Sequence, residues 1–225
     1  MRAEYNQFQH LWGIGCVRVP AGALPYPISW RDIEADTRWT QHLLRGMGIA
    51  PGALVHLSHY YSELAQLWPF YQATRDLGAV IANGMPSPFD AYRLEMYLRR
   101  FRLTAAIGIA PDTLNSLEQQ GHDLQKLFAS TAVLAALPGA WERLRVLGFK
   151  PWRLIALGPL LAIEAPDASG ARFNNREWQV TGGGDGLRVS AGPQRACDFR
   201  ELETGVAGMV EKVEGAAGPE FRLFV

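Results

Sequence analysis

The sequence is poor in cysteine, in lysine and in long apolar runs, and each shortage excludes something. Its two cysteines, Cys16 and Cys197, lie far apart without CxxC or Cys/His spacing, so neither a disulfide framework nor a metal site is expected. Two buried thiols in a reducing compartment are the simplest expectation. No stretch approaches the roughly 18 apolar residues of a membrane-spanning helix. The opening MRAEYNQFQHLWGIG lacks the apolar segment and small-residue cleavage pattern of a secretory signal. A cytoplasmic location with no membrane partner is therefore expected. Charge of one sign is missing too: 22 basic and 22 acidic side chains cancel, so no overall field draws the chain to nucleic acid. Lysine occurs only at Lys126, Lys150 and Lys212, leaving few candidates for chemistry that needs a mobile ammonium. The sequence has no GxSxG, no HExxH and no glycine-rich loop ending in GK[ST], so local support for serine hydrolases, zinc proteases and P-loop enzymes is lacking.

What is present is a globular composition of 225 residues, 48% hydrophobic and 11% aromatic, enough for one large domain or two small ones. Residues 1–28 are aromatic and carry Pro20, Pro25 and Pro27, so they read as an arm or as short strands laid on the main body. Ser29 looks like the N-cap of a helix over residues 30–47, with Asp32 at the third position and Ile33, Thr37, Thr40 and Leu44 on one stripe. Gly48 ends it, and the apolar run 53–57 follows as a strand. The cycle recurs: Ser62 opens a helix that contains Pro69 and ends at Gly78, a strand covers 79–82, Ser87 caps a third helix with Pro88 at its first turn, and a strand covers 104–109. Strands spaced by about 25 residues with a helix between them indicate right-handed βαβ crossovers and a parallel sheet flanked by helices. Residues 111–137 read as further helix, residues after Pro138 as a short amphipathic helix, and residues 152–157 as a strand. From Gly158 onward, turn residues and short alternating segments predict a smaller antiparallel β region. The expected organisation is thus an arm (1–28), an α/β subdomain (29–157) and a β-rich subdomain (158–225).

Two glycine clusters invite a phosphate-binding reading. Gly182, Gly183, Gly184, Asp185 and Gly186 lie between short strands, where Asp-Gly marks a hairpin turn. Gly46, Gly48 and Gly52 follow a helix and precede a strand, the reverse of a dinucleotide site. The most pocket-like cluster is His56, Ser58, His59, Tyr60, Tyr61 and Ser62, at the C-terminal end of the first parallel strand, where open α/β sheets bind ligands. Two histidines three residues apart in an extended segment splay, so aromatic packing with one hydrogen-bonded histidine is preferred over a metal site.

Several segments then align in order with a known family. LLRGMGIAPGALVHLSHYYSELAQLWPFYQATRDLGAVIANG, YLRRFRLTAAIGIAPDTLNSLEQQG, ARFNNREWQVT and GLRVSAGPQRACDFRELETG resemble the adenylate-forming acyl-CoA ligases, in particular their phenylacetate-CoA ligase-like branch. The resemblance covers roughly residues 29–213. It implies a ligase-like α/β fold and adds Gly84, Pro111 and Gly158 to the ligand-pocket candidates. It also implies where a nucleotide would sit, and there the sequence departs from the family. No serine, threonine or lysine occurs in residues 1–28, where the family's phosphate loop is placed. The aromatic-Gly motif ending in glutamate falls on Leu157, Gly158, Pro159, Leu160 and Leu161, with leucine in place of both tyrosine and glutamate. The RYRTGD stretch falls on Glu201, Leu202, Glu203, Thr204, Gly205 and Val206, with glutamate at both arginine positions and valine for the ribose-binding aspartate.

What the resemblance implies, then, is a truncated, degenerate relative without catalytic residues, acting as a ligand-binding or accessory protein. ATP and magnesium are disfavoured, and CoA or an acyl-CoA stays open as the ligand. The alternative is an AMP-forming ligase completed by a partner chain, or other chemistry on an acyl-CoA. A full-length ligase, a pathway enzyme or a second copy, the last through Trp12, Trp30 and Trp39, are the partners considered. No nucleic acid is expected.

Overall fold

The computed structural model describes residues 10–60, 63–183, 186–215 and 218–225. Of the two forms expected for residues 1–28, an arm or short strands laid on the main body, the described part takes the second: a β-hairpin, β1 (Leu11–Val19) and β2 (Gly22–Ser29). Pro25 and Pro27 lie inside β2 opposite Cys16 and Ile14. A two-stranded sheet leaves one side of each strand unpaired, which accommodates a proline without an N–H. Alternation along β1 buries Val17 and Val19 and turns Cys16 outward, so Cys197 is buried but Cys16 is exposed, contrary to the expectation of two buried thiols.

Helix α1 (Trp30–Gly46) starts as its sequence predicts. Ser29 Oγ accepts from Asp32 N at 3.1 Å, and Ser29 N donates to Asp32 Oδ2 at 2.9 Å, a reciprocal capping box. The alternating units follow: β3 (Leu54–Ser58), α2 (Leu64–Asp76), β4 (Val80–Gly84), α3 (Ala91–Arg100), β5 (Ala105–Ile109), α4 (Pro111–Gln119), α5 (Leu124–Phe128), β6 (Val133–Ala136), α6 (Ala140–Val146) and β7 (Trp152–Leu157). Ser62, the expected cap of α2, lies outside the described residues, and Glu63 is the residue before that helix. Two expectations are corrected. The third helix starts after Asp90, not at Ser87, because Asp90 N and Ala91 N both donate to Ser87 O and close a turn across Pro88. Residues 133–136 are a strand inside a stretch read as helix. All four are buried, so alanine's helix preference yields to burial on both faces of a central strand.

Beyond β7 come β8 (Leu160–Glu164), β9 (Ala171–Arg172), β10 (Trp178–Gly183), β11 (Gly186–Ala191), β12 (Leu202–Glu203), β13 (Met209–Gly215) and β14 (Gly218–Phe224). Among the described residues, one nine-stranded sheet runs β13-β14-β9-β8-β7-β6-β5-β3-β4, parallel from β7 to β4 and antiparallel from β7 to β13. A three-stranded antiparallel sheet, β10-β11-β12, stands apart. The expected hairpin is present, β10 and β11 closing onto residues 184–185, which lie outside the described residues. A mixed α/β architecture, helix-flanked parallel sheet plus antiparallel β region, is thus observed.

The chain passes from β3 to β4 on one side, then returns past β3 to place β5 on the other. Right-handed crossovers that reverse direction put their helices on opposite faces. Accordingly α1 and α2 share one core with Val55, Leu57, Ala105 and Ile107, whereas α3 to α6 share another with Ala106, Ile109 and Leu134. At this reversal β5 bulges: its pairing with β6 shifts between Ile107 and Ile109, and Gly108 adopts φ +89°. A Cβ on Gly108 would stand 1.9 Å from Ser58 O, so only glycine fits.

Gly108→Ala is expected to lower stability by at least about 2 kcal/mol in urea unfolding, combining left-handed strain with a backbone clash. An unchanged midpoint would show that β3 and β5 can separate there without loss.

Candidate functional site

The Gly108 bulge makes the ends of β3 and β5 the switch point of the sheet, the position where α/β folds open a crevice. Ser58 and His59 sit there, both buried, with Pro111 opening α4 across from them. Pro111 also supports the next turn, since a Cβ on Gly139 would lie 3.1 Å from its Cγ. His59 Nδ1 is 2.8 Å from the carbonyl of Tyr60, which can only accept, so Nδ1 carries the proton and Nε2 accepts from the Tyr71 hydroxyl at 3.2 Å. The two rings meet edge-on at 5.4 Å. Tyr71 stacks on Trp68, and Trp68 meets Trp12, so a chain of aromatics runs from the N-terminal hairpin to His59. Tyr60 donates its hydroxyl to Pro86 O at 2.6 Å, and its phenol is shifted upward, by desolvation first and then by Asp112 and Glu63. Tyr61 lies outside the described residues.

His56 points the other way, as two histidines three apart on a strand should. Its ring is 5.7 Å from Tyr97 on α3, and its Nδ1 is buried with no hydrogen-bond partner. Gly84 makes room for it: a Cβ there would stand 3.1 Å from His56 Cε1 and 3.2 Å from Asp90 Oδ2. Asp90 itself is committed to Met85 N at 2.6 Å and to Arg93 at 3.1 Å. Burial pushes the His56 imidazole down to about 4, against a smaller upward pull from Asp90, so it is neutral at pH 7. The structure thus brings Ser58, His59, Tyr60 and Pro111 to one end of the sheet and directs His56 and Gly84 into the packing beneath α3. Among the described residues, no group of three His, Cys, Asp or Glu side chains is arranged to hold a metal ion, and no helix is long and apolar enough to cross a membrane.

The positions that resemble a nucleotide site lie around the β7–β8 turn. Leu157 and Leu161 are buried, in two different apolar clusters. Gly158 turns with φ +58°, and Gln66 Nε2 donates to its carbonyl. Leu202 Cδ2 and Val19 Cγ1 would stand 3.4 and 3.7 Å from a Cβ placed there, so β12 and the hairpin tip close over the turn. Pro20 approaches Gly205 in the same way, 3.0 Å from the position of a Cβ. Glu201, in left-handed conformation at φ +48°, accepts from Thr181 Oγ1 at 3.0 Å and Ser190 Oγ at 3.2 Å. Glu203 pairs with Arg188 at 3.3 Å, and Val206 packs against the core through its half-buried side chain.

One polar constellation was not visible in the sequence. The guanidinium of Arg195, 4% exposed, donates to Asp36 Oδ1 at 3.2 Å and Oδ2 at 3.0 Å, lies within 4.0 Å of Asp32 and 3.9 Å of Glu177, and stacks 4.1 Å above Trp178. Arg31 grips Glu177 from the other side, and Asn174 Nδ2 donates to Asp36 at 2.9 Å. Burial raises the Asp36 carboxyl, and Arg195 opposes that rise. Burial works against the Arg195 charge, but Asp36 and Asp32 outweigh it and hold the guanidinium above its ordinary value. Beside the cluster is a cavity of about 30 Å³ lined by Asp36, Thr40, Asn174 and Gln66, room for roughly one water. The only sequence signal was the pair Asp32 and Asp36, four residues apart on the stripe of α1 that Ile33 and Thr40 bury.

No protein-family model and no curated protein sequence matches the chain. Solved structures do match its fold. A 2-hydroxyisobutyryl-CoA ligase bound to 2-hydroxyisobutyryl-AMP and CoA is similar at a TM-score of 0.70 and 17% identity, over 95% of this chain and 51% of that one. An AMP-forming acyl-CoA synthetase-like protein from Dyadobacter fermentans follows at 0.57 and 11%, over 99% and 61%. The o-succinylbenzoate-CoA synthetase of Bacillus subtilis also scores 0.57 at 11%, over 97% and 50%. The chain therefore shares the fold of AMP-forming acyl-CoA ligases and spans about half the length of the 2-hydroxyisobutyryl-CoA ligase chains it matches.

Two outcomes are expected. Because His56 titrates near 4 when folded and near its ordinary 6.5 when unfolded, the unfolded chain binds more protons between those values. Stability should therefore fall by about 3 kcal/mol as pH drops through that window, and His56→Gln should flatten the dependence in pH-resolved urea unfolding. Arg195→Met, which leaves three carboxylates without their shared cation, should cost about 3–5 kcal/mol in the same measurement at pH 7.

Proposed function

We propose that this chain is a non-catalytic, ligand-binding or accessory protein on the acyl-CoA ligase fold, of the phenylacetate-CoA ligase-like branch, and that it does not use ATP and magnesium. The observation that supports this most is the filled turn at Gly158. Where the motif resemblance places adenine recognition, Leu157 and Leu161 are core side chains and Val19 and Leu202 lie over the glycine. A nucleotide base could enter only by displacing packed apolar groups. Nearby, Glu201 and Glu203 present acid where the resemblance expects arginine. Glu203 is paired with Arg188 and both carboxylates are exposed, so what they add is a weak, salt-screened opposition to a phosphate. The degeneracy thus has a steric part and an electrostatic part, and they act at the same place.

The ligand we assign is CoA or an acyl-CoA, bound at the ends of β3 and β5. That end offers Ser58, the His59–Tyr71 pair, Tyr60 and the first turn of α4 at the switch point. The protein would act in the cytoplasm beside a full-length ligase or another enzyme that makes or consumes the thioester.

Calorimetric titration with ATP and magnesium at millimolar concentration is expected to give no saturable heat. CoA or a short acyl-CoA is expected to raise the thermal midpoint, because a ligand selective for the folded state stabilises it by mass action. His59→Ala should reduce that shift, read against the variant's own unliganded midpoint, which itself falls because the buried ring loses its bonds to Tyr60 O and Tyr71. Tight, magnesium-dependent ATP binding would overturn the proposal.

A further inference from the structure

A groove of about 340 Å³ lies at the end of the sheet where the parallel strands begin, remote from the switch point. Helices α3 and α4 run against the direction of the strands they connect, so the last turn of α3 and the segment between α4 and α5 meet there. Leu98 and Leu127 line the groove and belong to or pack against the core shared by α3 to α6, so its floor is apolar and held from behind. Arg99, His122 and Lys126 stand around that floor. Arg99 Nε is 2.6 Å from Glu95, and Nη2 lies 3.4 Å from His122 Nδ1. A guanidinium can only donate, so His122 Nδ1 accepts and Nε2 carries the ring proton. Two neighbours thus hold the Arg99 fork in place before anything binds, while its Nη1 makes no bond to any described residue.

The charge around the groove is unbalanced. Its acids are already engaged: Glu95 with Arg99, Glu118 with Arg143 at 2.6 Å and Asp123 with Lys126 at 3.5 Å. Arg100 closes α3 and Arg102 follows it. Both are exposed, and neither has a polar partner among the described residues. Phe101, between them, is 50% exposed. In a chain whose charges cancel overall, these two unmatched cations beside an apolar floor are complemented by an acidic segment that carries an aliphatic side chain. A nucleic acid fits less well, because its regularly spaced phosphates would meet Glu95 and Asp123 and its bases would bring polar edges to the floor. A lipid surface is flat and leaves a concave floor unfilled.

We infer that this end of the molecule docks an acidic segment of a partner protein, one aliphatic side chain seated on Leu98 and Leu127 and the flanking carboxylates on Arg99, Arg100 and Arg102. The contact does not rest on the CoA reading at the other end of the sheet, and the two fail separately.

The test uses the full chain and follows the fluorescence anisotropy of a labelled peptide, EELEE, beside the peptides QQLQQ and EEGEE. EELEE should bind saturably. QQLQQ, which lacks the charge, and EEGEE, which lacks the aliphatic anchor, should each bind about tenfold more weakly or worse. Arg100→Gln combined with Arg102→Gln should weaken EELEE about tenfold, the scale of two exposed ion pairs. The unfolding midpoint should stay in place, because neither arginine has a partner to lose. Arg38→Gln combined with Arg45→Gln removes the same charge from α1, which packs on the opposite face of the sheet, and should change the affinity less than about twofold. Absence of saturable EELEE binding, equal binding of either control peptide, or equal weakening by the two double variants would each overturn the inference. So would tighter binding of a single-stranded oligothymidylate or of phosphatidylserine vesicles than of EELEE. The peptide comparisons need no variant, so they stand even if a substitution disturbs the fold.

Discussion

The guanidinium of Arg195 joins the two halves of this molecule. It enters from the loop between β11 and β12 and is met by Asp32 and Asp36 on α1 and by Glu177 just before β10. Burying a cation costs several kcal/mol unless its charge and all its donors are matched, and a guanidinium is matched best by flat acceptors set around its plane. Here Asp36 receives two donors and Trp178 covers one face, while Nε, 4.0 Å from Asp32, has no hydrogen-bond partner among the described residues. The consequence is positional. Residues of the antiparallel region can reach this cluster only if α1 lies alongside them, and α1 in turn covers the parallel half of the sheet. The charge cluster thus acts as a register mark between two regions that a purely apolar interface would allow to slide.

A second constraint, local and steric, sets where a ligand can approach. The Gly108 bulge lets β5 pass against the Ser58 carbonyl, and that contact lies where the crossovers change direction. The side chains gathered there are held by neighbours from both ends of the chain: Tyr71 from α2 meets His59, and Trp12 from the hairpin completes the aromatic chain through Trp68. The same hairpin closes the Gly158 turn with Val19. The N-terminal hairpin therefore both supports one end of the sheet and packs over the β7–β8 turn. Its burial explains this: Val17, Val19, Tyr26 and Ile28 are all core residues.

Much of the fold was legible because its signals are local. Ser29 with Asp32 defines the start of α1 whatever surrounds it, and the period of the apolar stripe carries the helix to Gly46. The strand at Trp152–Leu157 and the hairpin flanking residues 184–185 were readable for the same reason: turn residues and alternation act over a few positions. The misreadings share a cause as well. Residues 133–136 look helical until neighbouring strands and helices enclose them. The start of α3 depends on Asp90 N and Ala91 N turning back to Ser87 O across Pro88. The outward side of Cys16 depends on which face of β1 the core chooses.

By itself the sequence determined the elements, the alternation that makes a parallel sheet, and the ordered motifs that resemble acyl-CoA ligases, since all of these rest on residues close together in the chain. The candidate site was only half legible: its position at a strand end could be read, but not which histidine would face it. The strand register sends His56 under α3 and leaves His59 at the sheet's end, bonded to Tyr71. Only the tertiary structure decided that the Gly158 turn is filled and that Arg195 meets Asp36 across more than 150 residues. It also decided that Arg99, His122 and Lys126 share a groove with Leu98 and Leu127. Such contacts join distant segments, and their energies depend on burial and mutual approach, which no spacing within one segment contains.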